Sequence, residues 1–124
     1  MSARRFIKED LPQINRWQAL LEMPLTTYED LPAIGYIVPG ICAGFLFQTD
    51  SSVCMLDGYI ANPEVLGSKR KEALNAVTDL LIITAKDLDY KKIIAFTRHE
   101  SVKARCERYE FSQKEDYTLF VRRI

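Results

Sequence analysis

The sequence predicts an α/β (α+β) domain: one mixed, mostly antiparallel sheet flanked by helices. Three observations carry that expectation. Between Ala33 and Ala61 three strand-type runs are separated by two tight turns, the pattern of an antiparallel meander. A single apolar stripe at helical spacing then runs from about Ser68 to Leu88. After it comes Lys92-Ile93-Ile94-Ala95-Phe96, a run of the buried-strand type. Strand–helix–strand in one sheet implies a right-handed parallel crossover.

Taken in order, Ala3 to Lys8 is a short first strand. Asp10 is placed to cap the next helix, with Pro12 in the first turn, where a missing N–H matters least. Leu11, Ile14, Trp17 and Leu21 recur at helical spacing. Met23 to Pro32, with two prolines and two threonines, reads as a loop or a short second helix. Ala33–Val38 is a strand ending at the Pro39-Gly40 turn, Ile41–Gln48 the next, and Thr49-Asp50-Ser51-Ser52 turns the chain into Val53–Ala61. Phe45-Leu46-Phe47 and Cys54-Met55-Leu56 are apolar on both faces, so the sheet centre should be covered on both sides. The long helix presents Ala73, Leu74, Val77, Leu80, Leu81, Thr84, Ala85 and Leu88 as its apolar stripe. Thr97-Arg98-His99-Glu100 reads as a capping box opening a helix with Val102, Cys106 and Tyr109 on one face. Tyr117–Val121 is a last strand.

The 124 residues, 48% hydrophobic and 27% charged, suit one globular domain over residues 1–124. Seventeen basic residues against seventeen acidic ones give no overall field for nucleic acid, so any electrostatic function is local. Cys42, Cys54 and Cys106 are odd in number and lack metal-type spacing, and the single His99 has no ligand partners in spacing, so no metal is expected. No signal-like or membrane-length apolar run is seen; a cytoplasmic protein with reduced thiols is expected.

One stretch is electrostatically odd. In Pro63-Glu64-Val65-Leu66-Gly67-Ser68-Lys69-Arg70-Lys71-Glu72, three cations stand at the start of the long helix, where the helix dipole disfavours each by about 0.3–1 kcal/mol. Either solvent screens them, with Glu64 and Glu72 as partial partners, or an anion sits on the helix end.

The element order, with Asn62-Pro63-Glu64 before the central helix, resembles the GNAT superfamily of N-acetyltransferases. In that family a segment Arg/Gln-x-x-Gly-x-Gly/Ala at this point holds the pyrophosphate of acetyl-CoA. Aligned on Pro63-Glu64, Leu66 stands at the Arg/Gln position and Lys69 and Lys71 at the two glycines, while Gly67 fits. Ala104-Arg105-Cys106-Glu107-Arg108-Tyr109-Glu110-Phe111 is similar to the family's Ala-x-Tyr-Glu-Lys-x-Gly-Phe. Cys106 takes the place of the tyrosine that protonates departing CoA, and Glu110 that of the glycine. A compact chain of this kind resembles phage- or prophage-borne members.

The resemblance implies acetyl-CoA as co-substrate, lying along Tyr59, Ile60 and Ala61 with its phosphates on Gly67, Ser68, Lys69, Arg70 and Lys71. Catalytic candidates are Asp57 as base, an acid inside an apolar strand whose burial would raise its pKa, and Tyr109 or Cys106 as acid. Packing is the plain alternative for both Cys106 and Tyr109. Gly58 is a candidate bulge that lets the sheet splay. Tyr28, Glu29 and Asp30 fall where such folds shape the acceptor pocket.

The expected partner is an amine acceptor, small molecule or protein, with no membrane, no nucleic acid, and a dimer as the assembly to test. Against this transferase stands a binding or regulatory module without chemistry, working through the sheet or the Met23–Pro32 loop. A nucleic-acid accessory using Arg4, Arg5, Arg122 and Arg123 is the third reading. An enzyme should show an open slot between the strands starting near Asp57 and Lys92; a module should fill it with side chains.

Overall fold

A computed structural model describes residues 2–96, 100–113 and 120–124. It contains β1 (Arg4–Arg5), α1 (Leu11–Leu20), β2 (Ile34–Val38), β3 (Cys42–Phe47), β4 (Val53–Ala61), α2 (Gly67–Asp87), β5 (Lys92–Ile94) and α3 (Glu100–Arg108). Short 3₁₀ turns at Lys8–Asp10 and Tyr28–Asp30 join the early elements. The sheet order is β1-β2-β3-β4-β5, antiparallel up to β4 and parallel between β4 and β5.

Period-2 alternation divides the side chains between two cores. Ile37, Ala43, Phe45 and Ile60 face Ile14 and Trp17 of α1. Ile34, Val38, Cys42, Leu46, Cys54 and Leu56 face Ala73, Val77, Leu81 and Ala85 of α2. The four α2 residues are at most 1% exposed, so the stripe expected from the sequence is the buried one, whereas Leu88 at its end is exposed. Two hydroxyl relays pin α2 to the sheet. Thr84 Oγ1 donates to the Leu80 carbonyl and Thr78 Oγ1 to the Leu74 carbonyl, each at 2.8 Å. Their protons being committed, Tyr36 donates to Thr84 (2.8 Å) and Tyr59 to Thr78 (2.9 Å).

The register of β3 against β4 shifts between Ala43↔Ile60 and Phe45↔Asp57, which leaves one extra residue in β4. Gly58 has φ +70° there, and a Cβ on it would come within 3.0 Å of the Phe45 ring. The expected bulge is therefore present, and it re-aims β4 so that both Leu56 and Tyr59 point to the α2 face.

Three differences from the sequence reading have physical causes. β1 is reduced to two residues: Arg4 and Arg5 pair in register with Ile37 and Tyr36, and beyond them a single bond from the Phe6 N–H to the Gly35 carbonyl (2.9 Å) precedes the 3₁₀ turn. β5 ends at Ile94 and is not the buried strand its composition predicts: Lys92 and Ile94 are exposed, since β5 has only β4 as a described neighbour. Asp10 does not cap α1. It is 4% exposed, and its carboxylate instead accepts two hydrogen bonds from the Arg4 guanidinium at 2.8 Å and one from the Ile7 N–H at 2.9 Å. The capping box at Thr97–Glu100 and most of the last expected strand, residues 117–119, lie outside the described residues. Phe120 and Val121 belong to no strand and are largely exposed.

Each helix ends with an acidic residue in the left-handed region: Glu22 (φ 56°), Asp89 (φ 67°) and Glu110 (φ 67°). At α3 the Phe111 N–H reaches the Cys106 carbonyl (2.9 Å) and the Glu110 N–H the Glu107 carbonyl (3.1 Å), a Schellman motif that favours glycine. The glycine conformation of the family pattern is thus kept without the glycine.

Two stability outcomes follow. Asp10→Asn should cost about 2 kcal/mol, because it weakens charge-assisted bonds to a buried group, measurable by urea unfolding at pH 7. The hydrogen bonds from Arg4 lower the Asp10 pKa below its usual 3.8, so this stabilisation is present above pH 3.8 and fades as pH falls through the lower folded-state value. Glu110→Gly should stabilise by roughly 0.5–1 kcal/mol in the same assay.

Candidate active site

The parting of β4 from β5 locates the site. β5 follows β4 only over Val53↔Lys92, Cys54↔Ile93 and Met55↔Ile94. From Leu56 onward β4 keeps β3 on one side, while no described strand covers the other. α3 closes this gap from the α2 side. Leu56, Tyr59, Thr78, Ala95, Cys106, Tyr109 and Phe111 surround a cavity of about 30 Å³ that Arg105 also lines. The slot expected of an enzyme is therefore narrow and largely filled by side chains, with room for about one water or one sulfur-sized group.

The Asn62-Pro63-Glu64 turn is tightly built. The Asn62 N–H donates to Ile41 O (2.7 Å), its Nδ2 to Gly40 O (3.0 Å), and its Oδ1 accepts from the Glu64 N–H (3.0 Å). The turn delivers the chain into α2 at Leu66, where no side chain caps the helix and no acid stands in the first turn. The N–H groups at the start of α2 are left for an outside acceptor. Arg70 folds back, its Nη1 donating to the Pro63 carbonyl at 3.2 Å. Glu64 is engaged by Arg16 at 2.7 Å, and Lys69 and Lys71 are exposed without an ion pair among the described residues. Glu64 therefore does not balance the helix start.

From Ser68 and Lys71 an open groove of about 470 Å³ runs along Glu72, Asn75, Ala76 and Asp79 to Arg108. It brings the helix start and the end of α3 to one surface. The Tyr109 hydroxyl sits between α2 and α3, 2.7 Å from Asp79 Oδ1 and 3.1 Å from the Asn75 carbonyl. Both are acceptors, so its one proton is held by α2. Burial, and then the hydrogen bond to Asp79, push its pKa up to about 12.

The remaining candidates are dispersed. Asp57 is exposed, which corrects the expectation of a buried base: it falls on the α1 face beside the bulge, where neither core covers it. Cys106 lines the cavity, and burial raises its thiol pKa. Tyr59 is half-buried against α2, burial and its environment taking its pKa to about 12. Ile60 points the other way into the α1 core, and Ala61 pairs with Cys42. Tyr28, Glu29 and Asp30 form an exposed turn with Lys8 Nζ 5.6 Å from the Tyr28 ring. His99 lies outside the described residues. Arg4 and Arg5 are committed to the fold, Arg4 through Asp10 and Arg5 through the Ala33 carbonyl and the Tyr36 ring. Among the described residues no three His, Cys, Asp or Glu groups cluster as for a metal, and no helix is long and apolar enough to cross a membrane.

Among the described residues two buried polar side-chain atoms, Asn75 Oδ1 and Arg105 Nε, have no hydrogen-bond partner. Sequence reading passed over both. Asn75 went unremarked, and Arg105 appeared only within the Ala104–Phe111 segment.

The clamp on Tyr109 is testable. Asp79→Asn removes a charged acceptor, so the Tyr109 pKa should fall from about 12 by roughly one unit. Ultraviolet titration of the phenolate, with Tyr109→Phe as the assignment control, measures this; an unchanged curve would mean that Asp79 does not hold the hydroxyl.

No protein-family model matches the sequence, and no curated protein matches it. Solved structures do. An acetyltransferase of Trypanosoma brucei superposes with a TM-score of 0.73 at 12% identity, over 97% of this chain and 98% of that one. Rv2747 of Mycobacterium tuberculosis, in complex with CoA and NLQ, gives 0.73 at 20% identity, over 97% and 76%. AAC(6')-Iy, bound to the bisubstrate analog CoA-S-monomethyl-acetylneamine, gives 0.62 at 12% identity, over 99% and 98%. These matches give no support to a phage-borne origin. The meander, the bulged fourth strand, the parallel crossover and these superpositions agree: the chain has the GNAT acetyltransferase fold.

Proposed function

We propose that the protein is an acyl-CoA-dependent N-acetyltransferase acting on a small-molecule amine. The observation that carries this reading is the start of α2, which has no capping side chain, no acid in its first turn and two lysines without an ion pair among the described residues, and which opens onto a groove of cofactor size. Fold kinship and the ligands named for Rv2747 and AAC(6')-Iy support it.

The residues fit the phosphate end of acyl-CoA. Backbone N–H groups at Gly67, Ser68 and Lys69 would hold the pyrophosphate, with Lys69 and Lys71 adding charge and Arg70 stiffening the loop through Pro63. The free side of β4 from Tyr59 to Ala61 would order the pantetheine arm. The bound group supplies an activated acetyl thioester. Asp57, exposed beside Gly58, would take the amine proton through water. Tyr109, clamped on Asp79, and Cys106, whose thiol pKa is raised, are both weak proton donors at neutral pH. Positioning would then supply much of the rate.

One observation favours a second reading, a module without chemistry. The gap between β4 and β5 is nearly filled by Leu56, Tyr59, Cys106 and Tyr109, and Leu20, Leu21, Met23 and Leu25 form an exposed apolar run for a protein partner.

Calorimetric titration with acetyl-CoA separates the two. The transferase reading expects micromolar binding, weakened at least about tenfold in Lys69→Glu/Lys71→Glu. The unliganded double variant should be more stable than wild type by about 0.3–1 kcal/mol for each charge close enough to the helix end. Absence of binding by the folded wild type would overturn the transferase reading and leave the second.

A further inference from the structure

Arg105 is the least explained charge in the molecule. It is half-buried on α3 and lines the cavity where β4 and β5 part. Its Nε is buried without a hydrogen-bond partner, and no hydrogen bond or ion pair of its guanidinium occurs among the described residues. Only Nε is sealed in this way; the terminal nitrogens are not buried, so the guanidinium stands with one edge toward water and one edge on the cavity, and it keeps its charge at any working pH. Among the described residues no acid pairs with it. Tyr59 of β4, Cys106 of α3 and Tyr109 just beyond it line the cavity with Arg105, and all three are protonated at neutral pH. Asp79 of α2 is exposed and engaged by Tyr109, and Arg108 is a further cation of α3 over the Tyr109 ring. The Arg105 charge is close enough to act on Cys42, Tyr59, Cys106 and Tyr109, favouring the ionised form of each.

We propose that Arg105 is a catalytic residue that stabilises the CoA sulfur as a thiolate when the acetyl group leaves it. This rests on the transferase reading above. The size and lining of the cavity select the ligand. About 30 Å³ admits one sulfur-sized group and not a carboxylate-ended acyl chain. A carboxylate would also need several free donors, yet the Tyr59 and Tyr109 protons are committed to Thr78 and Asp79. A thiolate is a soft anion, content with one delocalised cation in an apolar wall. In the step, the amine nitrogen forms the C–N bond and the C–S bond breaks, its electron pair going to sulfur. The amine proton goes through water to Asp57, and the thiolate departs opposite the guanidinium, which transfers no proton. Arg105 so supplies by charge what neither Cys106 nor Tyr109 supplies as an acid.

The test is the pKa of the CoA thiol bound to the protein, read from thiolate ultraviolet absorbance against pH in wild type, Arg105→Lys and Arg105→Gln, with desulfo-CoA as the blank. In wild type it should lie about one unit or more below that of free CoA. Arg105→Lys should keep part of the shift and Arg105→Gln lose it, with kcat falling more than KM rises. Without CoA, Arg105→Gln should melt close to the wild-type temperature, since no ion pair of Arg105 occurs among the described residues. Equal thiol pKa values in proteins that both bind CoA would overturn the role of Arg105 and leave the transferase reading standing. Failure of wild type to bind CoA would overturn both.

Discussion

β4 must pair with β3 along its whole length yet with β5 over only three residues, and the rest of the structure answers to that constraint. The extra residue at Gly58 meets it. A left-handed φ lets the strand turn under the Phe45 ring without breaking the β3 ladder. Beyond the bulge Tyr59 is re-aimed toward α2, where its hydroxyl joins Thr78 and fixes how the helix lies on the sheet. The same turn frees one side of β4 and opens the wedge that α3 plugs with Cys106, Tyr109 and Arg105. Fold and candidate chemistry therefore share one backbone irregularity.

A second theme is charge placed against the local dipole. α2 carries cations at its start and Asp89 in a left-handed conformation beyond its end, held by Lys91 at 2.6 Å. Arg105 carries a cation into an apolar cavity. Asp10 shows the contrast: more deeply buried than Arg105, it is saturated by Arg4 and Ile7 and serves the fold alone. Asp10 is satisfied and structural, whereas Lys71 and Arg105, without an ion pair among the described residues, line the groove and the wedge. Sites that keep such strain commonly do so for a ligand.

The helix stripe of α2, the meander and the parallel crossover were legible in the sequence because each is a local period repeated over many residues. The lysines at the helix start were legible too, since a dipole mismatch needs only the helix boundary to be noticed. Asp57 misled: an acid in an apolar strand implies burial, but β4 turns it to a face that neither α1 nor α2 covers. Asp10 misled the other way, its cap position hiding a tertiary partner six residues back. Asn75 and Arg105 gave no signal, because an orphaned polar atom exists only once neighbouring elements exclude water from it.

By itself, then, the sequence determined the element order, the two apolar faces of the sheet and the cationic helix start. All three follow from hydrophobic period and backbone electrostatics acting within a single segment. The tertiary structure decided what lines the wedge, which carboxylates are paired, and that Tyr109 is clamped by Asp79 while Arg105 is not clamped at all. Those outcomes depend on which side chains of α2, α3 and β4 meet in space, and no spacing along one element encodes that meeting.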